Sequence, residues 1–193
     1  MSPLERADAV VAGNKEIWDT AKTTILAALN SHDTPNEVSL KVSMAVGPMT
    51  SKVAEMASCR KGCSHCCKQA VAITAIEAHR IGTFIGRPPF PVKHRSLLAM
   101  VSRITATQEQ YKSVPCPFLK DDECSVYPVR PLVCRTHFSL GEPKLCDTTD
   151  PENGPVPYFN FMAVVGLNVE YALSRQAQLS DIRDFFPSED QNA

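Results

Sequence analysis

The stretch that decides the architecture is residues 59–67, which read Cys59-Arg-Lys-Gly-Cys63-Ser-His-Cys66-Cys67. Two residues separate Cys63 from Cys66, a spacing at which a tight turn brings both sulfurs to one metal ion. Gly62 favours this turn because it has no Cβ and adopts positive φ without strain. The neighbouring thiols of Cys66 and Cys67 diverge in either a helix or a strand, so one ion can hardly bind both. One of the pair therefore serves a second site, a cluster iron or the apolar core.

A second group of cysteines lies further along the chain and consists of Cys116, Cys124, Cys134 and Cys146. The stretches 1–58, 68–115 and 147–193 contain no cysteine. In a reducing compartment, clustered cysteines are more often metal ligands than disulfides. We therefore predict that folding brings the two groups together, and that all eight cysteines are candidate metal ligands.

The composition is that of an ordinary globular protein, with 193 residues, 44% hydrophobic residues and a formal net charge of −1. A chain of this length suits one domain with a core of its own. The charge argues against a nucleic-acid partner bound by bulk charge. No apolar run is long enough for a membrane helix, and the chain does not start with the apolar segment of a signal peptide. We expect a cytoplasmic protein with no membrane or nucleic-acid partner, and an unknown protein partner stays open.

The cysteine-free stretches have the apolar periodicity of helices. Helices are predicted over 14–30, over 37–57 with a break at Gly47-Pro48, over 92–112 and over 158–176. The capping box Thr74-Ala-Ile-Glu77 predicts another helix that runs to about Ile85. Residues 113–157 are rich in proline and are expected to form turns, a hairpin tip at 121–123 and one helical turn near 130–135.

The resulting fold class is mainly α, a helical scaffold holding two irregular cysteine-bearing segments that meet at a metal site. We expect a single domain over 1–193, with N-terminal helices in 1–58, the metal-binding region in 59–146 and a C-terminal helix in 158–177.

Basic residues and histidines accompany the cysteines. Cations near a cluster of thiolates offset its negative charge, and the candidates are Arg60, Lys61, Lys68, Arg130 and Arg135. Arg135 directly follows Cys134 and is predicted to donate a hydrogen bond at the site. His65 and His137 are candidate replacements for a cysteine ligand, and Tyr127 is expected to pack.

The motifs resemble a known family. The matching stretches are Cys63-Ser-His-Cys66-Cys67, Cys116-Pro-Phe-Leu and Cys124-Ser-Val-Tyr-Pro-Val-Arg-Pro-Leu-Val-Cys134-Arg. They are similar to the YkgJ-type cysteine-cluster proteins, whose signature is CxxCxxCC and which are described as zinc- or iron-chelating domains. The resemblance covers about residues 59–146 and implies cysteine-bound zinc or an iron–sulfur centre, without implying a reaction. It departs from the pattern at Cys59, which three residues rather than two separate from Cys63.

Three functions are consistent with these residues. The first is a metal-binding protein with zinc or an iron–sulfur cluster as cofactor; the surplus over four cysteines favours the cluster. The second is a redox or protein-modifying enzyme, since a flagellin lysine methylase carries a similar signature. We find no motif of a known enzyme class, and a pocket reaching the metal would distinguish this function from pure binding. The third is a metal-free thiol–disulfide protein using Cys63 and Cys66.

Overall fold

The computed structural model describes residues 1–60, 62–147, 150 and 152–188. Its N-terminal part is a set of helices: α1 (Pro3–Gly13), α2 (Lys15–Leu29), α3 (Pro35–Ala45) and α4 (Gly47–Met56). The predicted break at Gly47-Pro48 is confirmed, because α4 begins there. Helix α1 was not predicted, although Ser2 and Glu5 form a capping box around Pro3 at its start.

Three further long helices surround the cysteine segments: α5 (Ala75–Ile85), α6 (Leu97–Gln110) and α8 (Met162–Ser174). The capping box of Thr74 and Glu77 begins α5 as predicted, and Gly86 ends it at a φ of 70°. Helix α6 begins at Leu97 rather than at 92, because the Ser96 side chain caps it. Helix α8 begins later than 158 because Tyr158 forms an isolated β-bridge with Ser139.

The strands are few and short. β1 (Ala72–Thr74) pairs antiparallel with β4 (Leu179–Asp181), with Ala72 opposite Asp181. β2 (Leu119–Lys120) and β3 (Glu123–Cys124) form a hairpin whose tip residues, Asp121 and Asp122, both have positive φ. The predicted hairpin tip is confirmed, whereas the β1–β4 pair was not predicted.

Short helical turns complete the irregular segments. They are the 3₁₀ turns His65–Lys68, Tyr127–Val129 and Pro143–Cys146, helix α7 (Leu132–Arg135) and helix α9 (Ile182–Phe185). The fold is mainly α, as the sequence predicts, and the cysteines lie in its irregular part. None of the described helices is long and apolar enough to cross a membrane.

The buried apolar side chains form three clusters. The first core packs α1, α2 and α4 against Phe138, Phe159 and Phe161. The second core packs α5 and α9 against β1 and the hairpin, with Phe118 in edge-to-face contact with Phe186 at 5.0 Å. The third core packs α2 and α3 against α8. Cys59 packs against the first core, whereas Cys116 and Cys124 pack against the second.

Candidate metal centre

The two cysteine segments meet through backbone hydrogen bonds. The amide of Cys116 donates to the carbonyl of Cys67 at 2.7 Å, and the amide of Ser113 donates to the carbonyl of Lys68 at 3.0 Å. The chain entering the second segment therefore runs alongside the end of the first. Residues that are distant in sequence thus come together, as the sequence predicts.

The β2–β3 hairpin carries Cys124, and Cys116 lies just before it in the chain. The Sγ of Cys116 accepts a hydrogen bond from the amide of Phe118, and the Sγ of Cys124 accepts one from the amide of Val126. Amide donors of this kind stabilise thiolate charge. At the hairpin tip, Asp122 accepts a hydrogen bond of 2.7 Å from the buried Ser64 hydroxyl. The tip is therefore tied to the turn that carries the first group of cysteines.

Helix α7 carries Cys134, and the buried carboxylate of Glu77 fixes the start of this helix. One oxygen of Glu77 accepts from the amide and hydroxyl of Thr74, at 3.0 and 2.9 Å. The other oxygen accepts from the amide of Leu132 at 2.8 Å. A residue recognised in the sequence only as a helix cap thus also positions a candidate ligand.

Four thiols come close together at this point, and we call Cys67, Cys116, Cys124 and Cys134 the quartet. In all six of its pairs, a negative charge on one thiol raises the pKa of another. Three chain segments supply the four sulfurs: the 3₁₀ turn at 65–68, the segment 116–124 that includes the hairpin, and α7.

The four thiols of the quartet differ in the direction in which their pKa values are shifted. Burial raises the pKa of Cys116 to about 12 and also raises the pKa values of Cys124 and Cys134. The pKa of Cys67 is instead lowered to about 7, because the Cys66 thiol donates a hydrogen bond to it and the Arg183 guanidinium is nearby. The quartet therefore holds one easily ionised thiol among three that stay protonated until a cation compensates their charge.

The remaining four cysteines form a separate outer group: Cys59, Cys63, Cys66 and Cys146. The Sγ of Cys59 accepts a hydrogen bond of 3.5 Å from the amide of Ser139. The hydrogen bond to Cys67, together with burial, raises the pKa of Cys66. Cys146 is buried at the end of the 143–146 turn. The predicted ligands thus fall into two sets that meet at Cys66, whose thiol contacts Cys67 and lies within electrostatic reach of both Cys134 and Cys59.

The cysteine thiols are suitable ligands for a thiophilic metal, although they do not form a ready-made coordination site. All eight cysteines are free thiols. Within the described residues, no three His, Cys, Asp or Glu side chains are arranged to hold a single metal ion. Free thiols lack the attraction that a cation supplies, so side-chain rotation must accompany metal binding. Sulfur donors in this number suit zinc and iron.

Of the two arginines that flank Cys134, Arg130 acts on a thiol as predicted and Arg135 does not. Arg135 was expected to donate a hydrogen bond at the site, but its guanidinium donates to the carbonyls of Arg130 and Pro128 and so braces the loop. Arg130 stacks over the Tyr127 ring at 3.9 Å. Its charge acts on Cys124, whose pKa it lowers against the raising effect of burial.

The other predicted accessory residues are placed as follows. Arg60 donates to the carbonyls of Ala57 and Cys59. Lys68 is exposed, and His65 lies on the 3₁₀ turn. His137 packs against the Tyr158 ring, with 4.3 Å between ring centroids. Lys61 lies outside the described residues.

The sequence did not point to Arg183, because it is separated from the nearest cysteine, Cys146, by many residues of sequence. In the fold its side chain is buried, with 2% exposed. Its guanidinium donates to Asp181 at 3.0 Å and to the carbonyls of Cys67 and Val114 at 3.3 and 2.6 Å. The only sequence signal is the closely spaced charged pair Asp181 and Arg183, within Leu179-Ser-Asp-Ile-Arg-Asp-Phe-Phe186. A buried cation beside Cys67 and Cys116 favours their thiolate forms.

A surface cleft of about 670 Å³ lies near the outer group. Its lining includes Arg6, Ser58 and Lys144, and it contains no cysteine side chain. The cleft therefore does not open onto a sulfur.

Comparison with known families gives one match. The model of the CxxCxxCC family, described as "Putative zinc- or iron-chelating domain", matches residues 58–153. The comparisons with curated proteins and with solved structures found no match. The family match contains all eight cysteines and supports binding of zinc or iron.

Proposed function

We propose, on the premise that residues 58–153 make this chain a member of the CxxCxxCC family, that the quartet binds an iron–sulfur cluster. The observation that carries the proposal is the mutual proximity of Cys67, Cys116, Cys124 and Cys134. Four cysteine ligands are the usual complement for such a cluster.

The cysteine content favours a cluster over a single zinc ion. A zinc ion is satisfied by four sulfurs at about 2.3 Å. The chain gathers eight cysteines within residues 59–146, and Cys66 and Cys67 are adjacent. A cluster distributes its cysteine ligands over several iron atoms and so accommodates neighbouring thiols more readily than one ion does.

The residues around the quartet supply hydrogen-bond donors and a positive charge, which stabilise an anionic centre. Amides of Phe118 and Val126 donate to two of the sulfurs, and Arg183 contributes a buried positive charge. Hydrogen bonds to sulfur, net charge and solvent exposure set the potential of such a centre. When bound, the cluster would supply one-electron transfer. The chain's own residues hold it, partly exclude water and balance its charge.

The test is elemental analysis and an optical spectrum of the full chain purified without oxygen. We expect iron and inorganic sulfide in equal amounts, and a brown colour that fades on reduction. A colourless protein containing zinc would overturn the cluster while leaving chelation by the quartet in place. A protein containing neither metal would overturn both.

Serine variants assign the ligands. We expect Cys116→Ser and Cys134→Ser each to lose the cluster absorbance. Cys63→Ser is the matched control, because it removes a thiol of the same first motif that lies outside the quartet. If the control loses the absorbance and Cys116→Ser keeps it, the assignment to the quartet is wrong. Circular dichroism of each variant separates loss of metal from loss of fold.

A further inference from the structure

The outer group occupies a different place in the fold from the quartet. Cys59 packs against the first core, beside Phe138, Phe159 and Phe161. The quartet's Cys116 and Cys124 pack against the second core, with Phe118 and Phe186. One thiol of the outer group and two of the quartet therefore lie against separate cores, and the turn at 65–68 carries a cysteine of each set.

The geometry of this turn explains the division. It is a 3₁₀ turn over His65–Lys68, so successive side chains point about 120° apart around its axis. Cys66 and Cys67 therefore leave the backbone in different directions, although their thiols are in hydrogen-bond contact. Cys67 completes the quartet, whereas Cys66 lies between the two sets, within electrostatic reach of Cys134 on one side and of Cys59 on the other.

A separate set of hydrogen bonds positions the segments that carry the outer group. The amide of Ser58 donates to the carbonyl of Ser139 at 2.9 Å, and the amide of Ser139 donates to the Cys59 sulfur at 3.5 Å. The Gln69 side chain contacts the Tyr158 hydroxyl and donates to the carbonyl of Cys146 at 3.4 Å. The segments that carry Cys59, Cys66 and Cys146 thus all come within electrostatic reach of the Tyr158 hydroxyl.

A buried nitrogen next to this network has no partner. The Nε2 of His137 is buried and finds no hydrogen bond within the described part of the chain. Its ring lies against Tyr158, whose hydroxyl is within electrostatic reach of Cys59, Cys66 and Cys146. An unpartnered buried imidazole nitrogen is costly, and a metal ion is one partner that would satisfy it.

We propose that Cys59, Cys63, Cys66 and Cys146 form a second centre for a thiophilic divalent cation, with His137 beside it as a further nitrogen donor. The chain then holds two neighbouring centres, linked through the peptide bond between Cys66 and Cys67. This proposal goes beyond the proposed function and does not require the quartet to hold an iron–sulfur cluster.

The test counts Co²⁺ equivalents on the full chain, freed of metal with a chelator under reducing conditions. Cobalt–thiolate charge-transfer absorbance reports each sulfur-bound ion. We expect two equivalents for the unchanged protein and one for Cys59→Ser/Cys146→Ser. The matched control, Cys116→Ser/Cys124→Ser, removes two quartet thiols and should also bind one equivalent.

The outcomes separate the two proposals. One equivalent for the unchanged protein, retained by Cys59→Ser/Cys146→Ser, would overturn the second centre and leave the quartet intact. Two equivalents retained by Cys116→Ser/Cys124→Ser would overturn the quartet alone. Loss of all cobalt from Cys59→Ser/Cys146→Ser, in a variant whose circular dichroism is unchanged, would mean one shared centre and would also overturn the second site.

Discussion

The guanidinium of Arg183 donates a hydrogen bond of 3.3 Å to the backbone carbonyl of Cys67. The same side chain is paired with Asp181, and the two are 2% and 0% exposed. Asp181 in turn accepts a hydrogen bond of 2.5 Å from the amide of Val71. A buried ion pair at the C-terminal end of the described chain thus holds the turn that carries a candidate ligand.

Replacing Arg183 should therefore destabilise the protein strongly. Arg183→Ala leaves the Asp181 carboxylate buried without its cation, which typically costs about 3–5 kcal/mol. The free energy of unfolding in urea measures the loss. The exposed Arg95→Ala is the control and should change stability by less than about 0.5 kcal/mol.

A double variant tests the cause. Asp181→Asn/Arg183→Met removes both charges and should be less destabilised than Arg183→Ala alone. Equal losses in the two proteins would show that the unpaired carboxylate is not responsible.

Glu77 should matter to both the fold and the position of Cys134. Glu77→Ala removes the helix cap and leaves the amide of Leu132 without its acceptor, at a cost of about 2–4 kcal/mol. Glu77→Gln keeps an acceptor oxygen at the capping position and should cost less. Urea unfolding gives the two losses, and metal content per chain reports on Cys134. An alanine variant as stable as the glutamine variant would contradict this role.

The sequence predicted those elements whose signals are local. The Thr74–Glu77 capping box, the break at Gly47-Pro48 and the acidic hairpin tip each depend on residues within a few positions of one another. Helix α1 also carries such a signal, in the capping box of Ser2 and Glu5, and could have been predicted from it.

The parts that were missed depend on long-range pairing. Strand β1 has only three residues and finds its partner β4 far along the chain, so periodicity cannot reveal it. Arg183 lies beyond the residues that match the family, and only folding places it beside Cys67. Arg135 was misjudged because adjacency in sequence to Cys134 does not fix the direction of a long side chain.

Metal binding by the quartet should release protons. At pH 7, Cys116 is a thiol, because burial raises its pKa to about 12, and the pKa values of Cys124 and Cys134 are also raised. The pKa of Cys67 is lowered by the hydrogen bond from Cys66 and by Arg183, so it loses its proton most readily. Binding of Zn²⁺ to four thiolates then releases between about three and four protons, so acid weakens binding.

Calorimetry in buffers of different ionisation enthalpy measures this release. Release should fall by less than one proton in Cys67→Ser, because the lowered pKa of Cys67 means that part of its proton has already been lost. Release of fewer than about two protons by the unchanged protein would contradict the picture of three protonated thiols.

Asp184 should make stability depend on pH at the acid end. Burial alone would raise its pKa, but hydrogen bonds from Arg103, Ser180 and Tyr111 lower the pKa below its ordinary value. The folded pKa is below the unfolded one, so this contribution is complete above about pH 4 and is lost as pH falls through the folded pKa. Asp184→Asn should cost about 1–2 kcal/mol at pH 7 and much less near pH 2.

Urea unfolding at the two pH values checks this. A loss in Asp184→Asn that is the same at both values would show that the Asp184 charge does not contribute.

The pairing of β1 with β4 has a consequence for the order of events during synthesis. All eight cysteines leave the ribosome before Asp181 and Arg183, which close over the turn at 65–68. Because a nascent chain folds from its N-terminal side, the sulfurs are accessible to a metal donor before β4 pairs with β1. Metal delivery would then precede the contact of Arg183 with Cys67, and this C-terminal segment would hold the metal-loaded turn in place.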